Sequence, residues 1–139
     1  MTKRPDPHPQ EVMDLLKNKG PETRIAVVGA SNNPQKYGHI IVDNLHKKGY
    51  TILPINPKEE VICGLPVYPS LEAAEKPIHL VNVVTPPAIT LKVLEEVAAL
   101  GIDSVWLQDG SYDERVLDYV AKAPFRTVYD ACTMVVSNY

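Results

Sequence analysis

Nowhere in the 139 residues is there an apolar run near the roughly 18 to 20 residues that a membrane-spanning helix needs. The N-terminal residues 1 to 6 are polar and carry no export signal, so a cytoplasmic chain with no membrane partner is expected. Cysteine is scarce. The two that occur, Cys63 and Cys132, form neither a CxxC pair nor a zinc pattern, and reduced thiols are the expectation. Fourteen basic against 17 acidic side chains, a formal charge of -3, provide no basic face for nucleic acid. No repeat of fixed period is present, and a small-molecule ligand is the partner that remains.

The chain does have 45% apolar residues, enough for the core of one ordinary domain. Its 13 prolines are dispersed as punctuation between elements instead of forming a low-complexity tract. Apolar positions 12, 15 and 16 predict a short helix in a segment spanning residues 1 to 20, ahead of the main domain at residues 21 to 139. Mainly apolar runs at 25 to 28, 50 to 55, 78 to 84 and 105 to 107 suit strands covered on both faces, and 127 to 129 a short last strand. Helical patterns at 38 to 48, 88 to 100 and 113 to 123 alternate with them. Residues 61 to 70 read as a turn with a short extended piece, leading to a brief helix near Ser70. The expected fold is α/β, Rossmann-like and doubly wound, with a mainly parallel five-stranded sheet, helices on both faces and a single domain.

In such a sheet the loops beyond the carboxyl ends of the strands hold the ligand. The first is Gly29-Ala-Ser-Asn-Asn-Pro-Gln-Lys-Tyr-Gly38. Its backbone amides at a helix start favour an anion; Gly29 permits a sharp turn, and Gly38 a close approach. Ser31 and Pro34 stand where a GxGxxG loop requires glycine, and Pro34, Gln35 and Lys36 where a P-loop requires Gly, Lys and Ser or Thr. Both fingerprints are excluded.

The second loop, Pro54-Ile-Asn-Pro-Lys58, has no acidic residue for ribose hydroxyls. Asn56 offers an amide, and Lys58 a positive charge suited to a phosphorylated ribose, as in NADP or coenzyme A. The third, Thr85-Pro86-Pro87-Ala88, forms a stiff apolar wall and starts a helix. In the fourth, Gln108 and Gly110 lie at the carboxyl edge, Trp106 belongs to the core, and Asp109 is read as a helix cap. His39 and His46 fall on one helix surface. No catalytic or metal-ligating constellation emerges, which leaves catalysis open with the balance toward none.

The stretch from Ile25 to about Cys132 resembles the small stand-alone CoA-binding domain proteins, and is similar to the N-terminal CoA-binding domain of the succinyl-CoA synthetase alpha subunit. The likeness rests on the first two loops, Gly64-Leu-Pro-Val-Tyr-Pro-Ser-Leu71, Val84-Thr-Pro-Pro87, Trp106-Leu-Gln-Asp-Gly110 and Asp130-Ala-Cys132. The resemblance implies that residues 31 to 36, among them Ser31, Asn32, Asn33, Pro34 and Lys36, approach the CoA pyrophosphate, between Gly29, Ala30 and the Tyr37-Gly38 pair. It further implies that Asn56, Pro57 and Lys58 meet the phosphorylated ribose and that Thr85 to Ala88 flank the nucleotide. Cys132 is a possible contact of the CoA thiol.

The chain departs from the family at Ala131, where an arginine is common, and in its C-terminal residues, where a basic tail is frequent. It also has no room for the second domain that bears the phosphorylated histidine of the synthetase. The leading expectation is therefore a non-catalytic CoA or acyl-CoA carrier, sensor or partner of an acyl-transfer enzyme. The alternatives are an NADP-binding oxidoreductase or redox sensor, or an interaction module that has lost its ligand.

Overall fold

A computed structural model describes residues 7 to 138. Five strands, β1 (Arg24–Val28), β2 (Thr51–Ile55), β5 (Leu80–Val83), β6 (Ser104–Leu107) and β7 (Arg126–Val128), pair in parallel in the order β2-β1-β5-β6-β7. Two short strands, β3 (Val61–Ile62) and β4 (Leu65–Pro66), form a separate antiparallel hairpin.

Strand alternation sorts the side chains into two cores. Ala26, Val28, Val81, Val83, Val105 and Leu107 face α3 (Pro87–Leu100) and α4 (Glu114–Val120). Ile25, Val27, Leu80, Trp106 and Val128 face α1 (Gln10–Lys17), α2 (Tyr37–Lys47) and α5 (Thr133–Val136). The fold class is the one read from the sequence. Continuous apolar strands are covered on both sides because right-handed crossovers lay helices on each face.

The expected N-terminal helix is α1, whose Val12 and Leu16 are buried in the second core. The Tyr50 hydroxyl donates to the Leu16 carbonyl and ties this helix to the start of β2. The brief helix expected near Ser70 is instead a turn, closed by the Ala74 amide on the Leu71 carbonyl at 3.2 Å. Two features stop it from growing. The Lys76 ammonium donates to the carbonyls of Leu71, Glu72 and Ala74, which a helix would need as acceptors, and Pro77 disfavours helical backbone at Lys76.

Asp109 is not the cap of α4. Asp113 is, accepting from the Val116 amide at 3.1 Å, because the turn in which the Ser111 amide meets the Gln108 carbonyl separates Asp109 from the helix. Trp106 is fully buried, as expected. The four-residue α5 was not expected at all; it is too short to show a helical period.

Candidate functional site

The winding direction reverses between β1 and β5, so the crevice of the sheet opens at their carboxyl ends. Gly29 leaves β1 at φ +95°, a left-handed conformation in which a Cβ would also stand 2.8 Å from the Val84 side chain. Gly38, in the first turn of α2, approaches even more closely: a Cβ there would lie 2.0 Å from the Gly29 carbonyl oxygen. The missing side chain at Gly38 makes room for the protein's own backbone, which sets α2 directly above the turn.

Between the two glycines the loop is folded by its own polar groups. Ser31 Oγ accepts from the Asn33 amide and Asn33 Oδ1 from the Gln35 amide, both at 3.0 Å. His39 Nδ1 meets the Ser31 carbonyl at 3.1 Å, while Asn32 Nδ2 donates to the Glu59 carboxylate and the Val61 carbonyl. Asn56 spends both ends of its carboxamide inside the protein. Its Nδ2 donates to the Ala30 carbonyl at 2.9 Å, and its Oδ1 accepts the Lys58 and Glu59 amides. Asn56 thus fastens the second loop to the first.

A cleft of about 550 Å3 opens at this crevice. Gly29, Ala30 and Ser31 form one side, Lys36, Tyr37 and Gly38 another, and Asn56, Thr85 and Pro86 complete most of the rest. All nine were singled out from the sequence. Gln35, within the 31 to 36 stretch but not named by itself, also lines it, as does Val84, a strand-end aliphatic that carries no distinguishing signal. Asn32, Asn33, Pro34, Pro57 and Lys58 lie on the same loops outside that lining, Pro87 and Ala88 open α3, and Gln108, Gly110 and Cys132 follow β6 and β7. Gly110 turns at φ +90°, Gln108 is buried, and Cys132 is half-buried just before α5.

The chemistry of the cleft is mixed in a useful way. The amides of Tyr37 and Gly38 are in the first turn of an 11-residue helix, where no carbonyl four residues back lies within the helix, and the helix dipole adds partial positive charge. Lys36 and Lys58 are exposed nearby on the same two loops. At the end of β5, against Gly29, Val84, Thr85 and Pro86 make a mainly apolar wall of the same cleft, stiffened by the Thr85 hydroxyl at 2.9 Å from that of Thr90. Anion-favouring amides and an apolar wall lining one cleft suit a phosphorylated nucleotide with a ring to stack, and the volume lies in the range of small-ligand sites.

His39 differs from the surface residue expected. It is half-buried, with both ring nitrogens 3.8 Å from Cys63 Sγ, because the β3–β4 hairpin folds over α2. Burial chiefly, and then the Asp43 carboxylate, push the Cys63 thiol above its ordinary pKa, against a smaller opposing effect of Lys47. His46 stays exposed. Openings of comparable size lie along α2, near Asp43 and Lys47, and at the amino edge of the sheet, near Glu11, Lys76 and Asp103. The amino edge is the wrong end of a parallel sheet for the loop chemistry described here.

A doubly wound parallel sheet with an anion-ready turn at its switch point defines a Rossmann-like α/β protein. The chain belongs to the CoA binding domain family, whose match spans residues 23–138. It is 28% identical over 130 residues to the Bacillus subtilis protein YneT, covering 94% of each chain. It is 34% identical over 90 residues, 65% of its length, to an ADP-forming acetate–CoA ligase of Methanocaldococcus jannaschii, of which it spans only 13%. Among solved structures, a conserved hypothetical protein from Pyrococcus furiosus matches with TM-score 0.77 and 38% identity, over 81% of this chain and 97% of that one. A hypothetical protein from Pyrococcus horikoshii OT3 matches with TM-score 0.82 and 28% identity, over 98% and 95%.

Proposed function

We propose that this protein binds coenzyme A or acyl-CoA in the cleft between β1 and β5 and acts without catalysis, as a carrier, a sensor or the partner of an acyl-transfer enzyme in the cytoplasm. The observation that carries the reading is the meeting of the α2 N-terminus, Lys36 and the Val84-Thr85-Pro86 wall at the switch point of a chain in the CoA binding domain family. In this reading the loop from Ser31 to Lys36 and the first amides of α2 hold the pyrophosphate. Lys58, with Asn56 and Pro57 fixing its loop, meets the 3'-phosphate. Thr85, Pro86, Pro87 and Ala88 flank the nucleotide, while Gln108, Gly110 and Cys132 lie toward the thiol end. The binding unit is residues 21 to 139, on which α1 packs.

The similarity to ADP-forming acetate–CoA ligases supports an acyl-transfer setting. Because the chain corresponds to a small part of each ligase, the partner enzyme belongs to the proposal. Isothermal calorimetry with CoA, acetyl-CoA, NADP and NAD tests it. Binding of CoA or acetyl-CoA in preference to the dinucleotides is expected. Preference for NADP overturns the reading, and binding of none of the four points to an interaction module.

A further inference from the structure

Among the described residues, Nδ2 and Oδ1 of Asn82, Oε1 of Gln108 and Oγ1 of Thr133 are shut away without a hydrogen-bond partner on the α2 side of the sheet; Oδ1 of Asn44, on α2 itself, and Oγ1 of Thr127 are the others. Asn82 and Thr133 are 0% exposed and Gln108 3%. Each such orphaned group gives up its hydrogen bonds to water on folding and gains none in return. Nothing in the strand demands a polar residue at position 82, since Val27, Leu80 and Trp106 fill the same layer with apolar side chains.

The fold gathers these groups beneath the cleft. Register sets Asn82 between Val27 of β1 and Trp106 of β6. Val84, on the same face about 7 Å further along the chain, lines the cleft. Gln108 continues the row of Trp106, with its amide on the Val83 carbonyl at 3.0 Å. Thr133 follows Ala131 and Cys132, and the Ala131 carbonyl accepts from the Trp106 indole at 2.9 Å. Asn82 therefore lies one layer of side chains below Val84 of the cleft lining, and Thr133 directly follows Cys132 in the chain.

The occupant that satisfies Asn82 must both donate and accept, because both ends of its carboxamide are unpaired. A secondary amide does both. Resting on the CoA reading, the geometry points to Asn82, with Gln108 and Thr133, as a subsite for the amide-bearing end of the pantetheine arm, so that the cleft prefers whole CoA to its nucleotide portion. In this assignment the thiol of the arm lies toward Cys132, the residue before Thr133.

Calorimetry of the wild type and Asn82→Leu with CoA and with adenosine 3',5'-bisphosphate tests this. The wild type is expected to bind CoA more tightly than the bisphosphate. Asn82→Leu should lose about tenfold for CoA and nothing for the bisphosphate, with an unfolding midpoint unchanged or raised as the orphaned amide disappears. Equal CoA affinity in the two proteins overturns the subsite and leaves water as the occupant; equal loss for both ligands overturns it as general damage to the cleft. If the leucine variant does not fold, Thr133→Val is read in the same way with the same two ligands. Wild-type protein that binds both ligands equally sinks the subsite alone, whereas wild-type protein that binds neither sinks the CoA reading itself.

Discussion

Gly38 stands so close to Gly29 that a Cβ on the first would lie 2.0 Å from the carbonyl oxygen of the second. That contact places the α2 N-terminus over the turn that leaves β1. Gly38→Ala must therefore push α2 away from the loop, because the obstacle is backbone and has no rotamer to give. A destabilisation of about 1–3 kcal/mol is expected from the overpacking, together with loss of CoA binding. Urea denaturation and calorimetry check both, and an alanine variant with wild-type stability would contradict the geometry.

Lys58 is exposed on the loop that Asn56 anchors, and its assigned role is specific to one phosphate. Lys58→Ala should weaken CoA by about tenfold or more, the scale of a hydrogen bond to a charged group, and leave dephospho-CoA unchanged. Equal loss for the two ligands would show that the lysine does not meet the 3'-phosphate.

The indole hydrogen bond from Trp106 to the Ala131 carbonyl holds the chain just before Cys132. Trp106→Phe leaves that carbonyl unpaired and should cost about 1–3 kcal/mol, with faster alkylation of Cys132 by iodoacetamide. In the wild type with CoA and hydrogen peroxide, the two thiols surrender two protons and two electrons to the peroxide, giving a Cys132–CoA disulfide and two waters. Intact-mass measurement without reductant would reveal the adduct, and its absence would remove Cys132 from the thiol end of the site.

Cys63 should behave in the opposite sense. Its thiol is pushed up mainly by burial and then by Asp43, so less of it is thiolate at any pH near 8. Alkylation slower than that of a small free thiol is expected, and a rate equal to or above it would contradict the assignment.

Asp113 caps α4 through the Val116 amide. Asp113→Ala should lower stability by about 1 kcal/mol, while Asp109→Ala, at an exposed residue outside the helix, should change it little. Equal effects in urea would restore Asp109 as the cap.

Much of this protein is legible in its residues. Continuous apolar runs separated by helical periods lead to a covered parallel sheet, because only such a sheet buries both faces of those strands. Gly29, Ser31, Lys36 and Thr85 are legible as cleft residues because loops after parallel strands share one edge. What escaped the sequence depends on partners distant along the chain. Asn56 looked like a ligand's hydrogen-bond partner, but its amide meets the Ala30 carbonyl, 26 residues away. His39 looked like a surface residue, and a hairpin more than twenty residues later covers it. The turn at Ser70 reads as a helix in the sequence because periodicity does not register an ammonium occupying the carbonyls.

The sequence by itself determined the class of fold and the edge on which a ligand is to be sought, since hydrophobic period and glycine placement are local properties, and its loop motifs carried the resemblance to the family. Tertiary structure decided that the glycine at position 38 serves the helix's approach to Gly29, and that Asn82 lies sealed and unpaired between Val27 and Trp106. Both are consequences of strand order and register, which bring together residues that no local pattern connects.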